Sequence, residues 1–143
     1  MAWVIRSTNA TAADDTADYQ GLFGRGDASY EKIDSRIANT FIGANSYVRG
    51  NNYVGAFIGG ANSVSIVNCS NAAEVKGSSE VSGIVGQGAY SCIIIGCANT
   101  GDITGATSVS GIVGSNTSSI MNCSNTGAIT ASGSSDWAGG ISA

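Results

Sequence analysis

One four-residue phrase, small–apolar–apolar–small, recurs along this chain and constrains its fold more than any other feature. It stands at Gly21-Leu22-Phe23-Gly24, Ala56-Phe57-Ile58-Gly59, Gly83-Ile84-Val85-Gly86, Gly111-Ile112-Val113-Gly114 and Gly140-Ile141-Ser142-Ala143. Two further landmarks keep step with it. Ile66-Val67-Asn68-Cys69, Ile94-Ile95-Gly96-Cys97 and Ile120-Met121-Asn122-Cys123 lie 28 and 26 residues apart. Val48-Arg49-Gly50, Val75-Lys76-Gly77, Ile103-Thr104-Gly105 and Ile129-Thr130-Ala131 follow one another at 27, 28 and 26 residues. A shared period of this size marks a repeat architecture. The first step of the phrase is longer, 35 residues from Gly21 to Ala56, which places an insertion around Arg25 to Asp34.

Each unit reads as three short apolar, β-branched runs bounded by Gly, Asn, Ser and Thr, which are strand and turn signals. No window carries a helical stripe of more than about two turns. Hairpin turns of the Asn-Gly or Asp-Gly type do not occur, which counts against an antiparallel sandwich or blade. The expectation is an all-β fold, a parallel β-solenoid (β-helix) of about five coils of ~27 residues, each strand pairing with its counterpart one period on. Residues 1–20 form an N-terminal strand and loop leading into the first coil. Residues 21–143 are the solenoid, with units near 21–55, 56–82, 83–110 and 111–139 and a partial unit at 140–143.

The units must stack to be stable. Ordering one residue's backbone costs about 1–2 kcal/mol, and a fully buried large apolar side chain returns about 1.5–3 kcal/mol. A single unit has too few such side chains. Stacking adds inter-coil hydrogen bonds and a continuous core. No terminal cap is legible at the last unit, so further chain or a second copy is expected to cover it.

Charge bears on partners. Charged residues are 11% of the chain, the net charge is −4, and histidine is absent. Few charges with many Ser, Thr and Asn describe a hydrogen-bonding surface. There is no basic stripe for nucleic acid, no apolar stretch long enough for a membrane-spanning helix, and no secretion signal after Met1.

The phrase Val81-Ser82-Gly83-Ile84-Val85-Gly86, together with Asn122-Cys123-Ser124-Asn125-Thr126-Gly127-Ala128-Ile129-Thr130, resembles the GLUG-motif repeats of bacterial surface proteins. The resemblance spans roughly residues 19–143. Ala72-Ala73-Glu74 and the closing Ser142-Ala143 depart from the pattern. It implies an extracellular or cell-surface protein whose repeats serve as a stalk or adhesive module, sometimes beside catalytic domains such as immunoglobulin A proteases. It offers no catalytic residue to carry over, and no cofactor is expected. The expected function is a structural or adhesive repeat segment. The alternatives are a glycan- or host-receptor-binding module, and a self-assembling filament subunit joined through uncapped ends.

Candidate sites are few. Arg25-Gly26-Asp27, read as a loop after the first phrase, resembles an integrin-binding tripeptide; its plain reading is a solvated turn. Tyr47 and Tyr53 flank Val48 and offer ring faces for a sugar. Cys69, Cys97 and Cys123 share one repeat position and read as a core ladder. Cys92 is off register and is the candidate for a disulfide. A metal site is disfavoured without histidine or a C-x-x-C pair. Asp14, Asp15 and Asp18 lack the spacing of an EF-hand. Asn71, Asn99 and Asn125 read as corner residues whose amides bond backbone. Asn9, Asn68, Asn116 and Asn122 open N-x-Ser/Thr sequons. Glu74 and Asp102 align one period apart, more as surface neighbours than as a general-acid pair, and no enzyme is expected.

Strand alternation puts Val54, Val81 and Val109 on one face of the repeated phrase. It puts Leu22, Phe57, Ile84, Ile112 and Ile141 on the other. A wall with two apolar faces should be covered by another segment or another copy, so that second column is the expected interface.

Overall fold

The short apolar runs become short strands because each is cut by a residue that turns the chain. A computed structural model describes residues 6–7, 11–13, 18–23, 25–27, 35–89, 92–116, 119–133 and 137–143. No helix occurs among them. The first rung holds β1 (Arg6–Ser7), β2 (Thr11–Ala13), β3 (Arg25–Asp27) and β4 (Ser35–Ala38). The second holds β5 (Phe41–Ile42), β6 (Tyr47–Arg49), β7 (Asn52–Gly55), β8 (Ile58–Asn62) and β9 (Val64–Val67). The third holds β10 (Ser70–Asn71), β11 (Glu74–Lys76), β12 (Ser79–Ser82), β13 (Val85–Ala89) and β14 (Ile93–Ile95). The fourth holds β15 (Ala98–Asn99), β16 (Ile103–Gly105), β17 (Thr107–Ser110), β18 (Val113–Asn116) and β19 (Ser119–Met121). Last come β20 (Ser124–Asn125), β21 (Ile129–Ala131) and β22 (Ala138–Gly139).

Every strand pairs in parallel with its counterpart a rung away, giving five walls: β1-β5-β10-β15-β20, β2-β6-β11-β16-β21, β7-β12-β17-β22, β3-β8-β13-β18 and β4-β9-β14-β19. The fold is a β-solenoid. Three turns are complete, with partial turns on either side, where about five coils were expected; each turn has five short strands rather than three. The first wall and the second begin at β1 and β2, so the stack starts before residue 21. The insertion lies between Asp27 and Ser35: where the second rung spends only Ser63, the first spends residues 28–34, which fall outside the described residues.

The register places like on like. Val48, Val75, Ile103 and Ile129 stack in the second wall. Ile66, Ile94 and Ile120 stack in the fifth. Val54, Val81 and Val109 stack in the third. All of these except Ile120 and Ile129, at the upper end of their columns, are fully buried.

The second apolar column of the phrase also points inward, contrary to expectation. Phe57, Ile84 and Ile112 have no exposed surface, and Leu22 and Ile141 pack against the same core. The phrase is not one strand. β12 ends at Ser82, the chain bends through Gly83 and Ile84, and β13 starts at Val85. Alternation holds only along a continuous strand, so a bend lets both columns face the interior. The buried Ser82 hydroxyl donates to the Val85 carbonyl across it. The outward apolar side chains lie elsewhere: on the fifth wall, where Val67, Ile95 and Met121 are in register beside exposed Ile93, and off it at Phe23, Phe41 and Trp137.

Two columns of left-handed residues turn the corners. Asn39, Asn68, Gly96 and Asn122 have φ of 53°, 52°, 63° and 51°. These are the residue types that tolerate this conformation. The other column is Tyr19, Tyr53, Glu80 and Ser108, with φ of 58°, 58°, 52° and 51°. It sits at the third wall's edge and interrupts the pairing, which jumps from Ser79↔Asn52 to Val81↔Val54.

Asparagines run through the core. Asn71 and Asn99 are buried. The Asn71 amide donates to Asn99 Oδ1 at 2.7 Å, and Asn99 donates to Asn125 Oδ1 at 2.8 Å. The same amides donate to the carbonyls of Ala73, Gly101 and Gly127, two residues on in each case. Each buried amide thus serves its own corner and the next rung, which satisfies groups that are costly to bury unpaired. Below Asn71 the position is taken by buried Ile42.

Candidate functional site

The surface features that gather chemistry lie at the corner between the second and third walls. There the left-handed Tyr53 breaks the strand and is only partly buried. Its ring stacks on that of Tyr19, one rung below, with centroids 4.6 Å apart and planes inclined by 13°. Asp18 holds the Tyr19 segment in place by accepting from the Asn52 N–H at 3.0 Å and from Asn51 Nδ2 at 3.1 Å. Glu80, the next left-handed residue up, accepts from the Ser115 hydroxyl. Its negative charge, then burial, then Tyr19 and Asp18 hold the Tyr53 phenol above its ordinary range. Tyr53 is therefore a neutral hydrogen-bonding group on an aromatic shelf.

Round the corner, on the second wall, Arg49 lies over the Tyr47 ring with its guanidinium carbon 5.0 Å from the ring centre. Lys76 is in register with Arg49 one rung up. Thr104 and Thr130 continue the same column. Arg49, Gly50, Lys76, Gly77 and Ser78 line a shallow concavity. The Arg49 Nε is buried with no hydrogen-bond partner among the described residues.

Tyr47 and Tyr53 do not form one platform. They stand on different walls, each with its own partner. Tyr19, Arg49 and Lys76 were not singled out in the sequence, although Val48-Arg49-Gly50 and Val75-Lys76-Gly77 put cations at one repeat position in plain view. Arg25-Gly26-Asp27 is not a loop: as β3 it pairs in parallel with Gly60, Ala61 and Asn62 of β8. The edge of β8 templates it as a strand.

The other candidates become structural. Glu74 and Asp102 border a second depression with Ala44, Ala72, Thr100, Gly101 and Thr104. Asp102 accepts from the Ala128 N–H at 3.1 Å, so its carboxylate ties one rung to the next. Cys69, Cys97 and Cys123 are free thiols that donate to carbonyls two residues back, at 3.4, 3.5 and 3.3 Å. The hydrogen bond with Cys69 and burial push the Cys97 thiol up, which keeps it protonated. Cys92 is a buried thiol; it fills the core position that Val64 holds a rung below and donates to the Ala61 carbonyl. No group of three or more His, Cys, Asp or Glu is placed to hold a metal among the described residues. Asp14 and Asp15 lie outside them, and Asp18 is engaged as above. No helix there is long and apolar enough to cross a membrane. No family model, curated protein or solved structure matches the chain.

Proposed function

We propose that this chain is a structural, adhesive repeat segment of a bacterial cell-surface or secreted protein, a stiff rod that displays its side walls. The observation that carries the reading is the unbroken register of the walls across three full turns. Each rung adds about 4.8 Å and buries its side chains on the one below. Such a stack resists bending and turns five walls outward. The likeness of the repeats to GLUG motifs supports a place outside the cell. Antibody labelling of intact cells of the source bacterium, and of its culture medium, tests this. Signal on unbroken cells or in the medium is expected; signal confined to lysed cells overturns it.

A second reading, a glycan- or host-receptor-binding module, is favoured by the stacked Tyr19 and Tyr53 rings at the corner. Aromatic faces left at a surface suit the apolar faces of sugars. Binding on a glycan array that falls when Tyr53 is replaced by Ala is the expected result. An array without signal overturns it.

A further inference from the structure

We propose that the corner between the second and third walls binds an acidic carbohydrate, a glycan chain bearing sulfate or carboxylate groups, through Arg49 and Lys76. The inference deepens the binding-module reading and rests on it.

Three observations converge. The first is electrostatic. The chain has only six Lys and Arg and a net charge of −4, yet Arg49 and Lys76 stand in register on neighbouring rungs, about 4.8 Å apart along the stack. Neither forms an ion pair among the described residues. Both side chains belong to one column of the second wall, with Glu74 exposed on the same strand as Lys76, and an anion bound at this column meets two cations.

The second is an unmet donor. Arg49 Nε is buried without an acceptor, and a buried donor left unpaired is costly. The guanidinium is already oriented by the Tyr47 ring beneath it. A planar group of this kind suits two-pronged recognition of a carboxylate or sulfate.

The third is shape. The two cations border a concavity with Gly50, Gly77 and Ser78. The hydroxyls of Thr104 and Thr130 extend the column along the rod, suited to sugar hydroxyls. The Tyr19–Tyr53 shelf lies around the corner. An elongated polysaccharide laid along the rod follows the charges and hydroxyls of this one column.

The test is titration of the full chain with a heparin oligosaccharide, with oligogalacturonate, with neutral dextran, and with single-stranded RNA of matched charge. Saturable binding of heparin or oligogalacturonate is expected, weakening as salt rises. Binding of both assigns the site to anionic glycans in general. Binding of one alone assigns it to sulfate or to carboxylate. R49Q/K76Q is expected to weaken binding at least about tenfold, with thermal unfolding near that of the parent. R36Q removes one charge from the exposed fifth-wall residue Arg36 and is expected to leave binding unchanged. No binding of either anionic glycan overturns the proposal, as does an equal loss in R36Q or equal affinity for RNA. Dextran binding that survives R49Q/K76Q overturns the proposal while leaving the binding-module reading in place.

Discussion

A Cβ atom on Gly83 would stand 2.3 Å from Cγ of Asn99, the asparagine of the next rung, and 2.3 Å from the Gly111 carbonyl oxygen. Gly111 has the same relation to Asn125, with Cβ and Cγ of that residue at 2.4 Å. At these two rungs the first glycine of the repeated phrase leaves the space into which the asparagine of the next rung fits; the second rung carries the buried Ala56 at this position. Gly83→Ala is expected to lower unfolding free energy by about 3 kcal/mol, the upper end for overpacking a core. Urea denaturation measures it.

Asn99 lies between two amides. Its removal in Asn99→Ala strands the Asn71 amide hydrogen that now bonds Asn99 Oδ1 and leaves the buried corner at Gly101 unsatisfied. Each unmet buried group costs about 1–3 kcal/mol, so a loss near 3 kcal/mol is expected. Asn125→Ala, at a half-buried position on the last turn, should cost about 1 kcal/mol. Equal losses in the two variants would contradict a ladder whose weight lies in its buried middle.

Ile84 decides between core and interface. As a fully buried residue, Ile84→Ala should cost about 2–5 kcal/mol with no change of mass in light scattering. If the column were a contact between copies, the same change would alter the mass and spare the melting temperature.

Ser82 and Ser110 occupy one column and behave oppositely. The Ser82 hydroxyl donates to Val85, whereas the buried Ser110 hydroxyl has no partner among the described residues. Ser82→Ala should lose about 1 kcal/mol and Ser110→Ala should gain a similar amount. Paired thermal melts of the two variants check the difference in sign.

Ser108 looks like a strand position, within Thr107-Ser108-Val109, yet its φ is 51°. Ser108→Val, favourable by β-propensity, is expected to destabilise by about 2 kcal/mol because a β-branched side chain resists that conformation. An unchanged denaturation midpoint would refute the left-handed assignment.

The parallel stack was legible because it needs only that similar residues return at one period. Val75 over Val48, Ile94 over Ile66 and Asn99 over Asn71 follow directly from the spacing. The direction of side chains was less legible. Counting alternation from Val81 through Val85 crosses a bend at Gly83 and Ile84, and the left-handed Glu80 precedes it. The bend resets the phase, and so Phe57, Ile84 and Ile112 were assigned to the wrong face. Tyr19 could not be matched to Tyr53 by the common period, because residues 28–34 lengthen the first turn.

From sequence alone came the repeat, its period, the parallel class of fold and the columns of like residues. These are properties of spacing, and a regular stack preserves spacing. The tertiary structure decided where each column points, that Arg25-Gly26-Asp27 lies in a strand, and that Tyr19 meets Tyr53 beside Arg49 and Lys76. Those outcomes depend on where the backbone bends and which neighbour's edge it meets. Bends are set by close approaches such as Gly83 to Asn99, which exist only once the rungs are stacked.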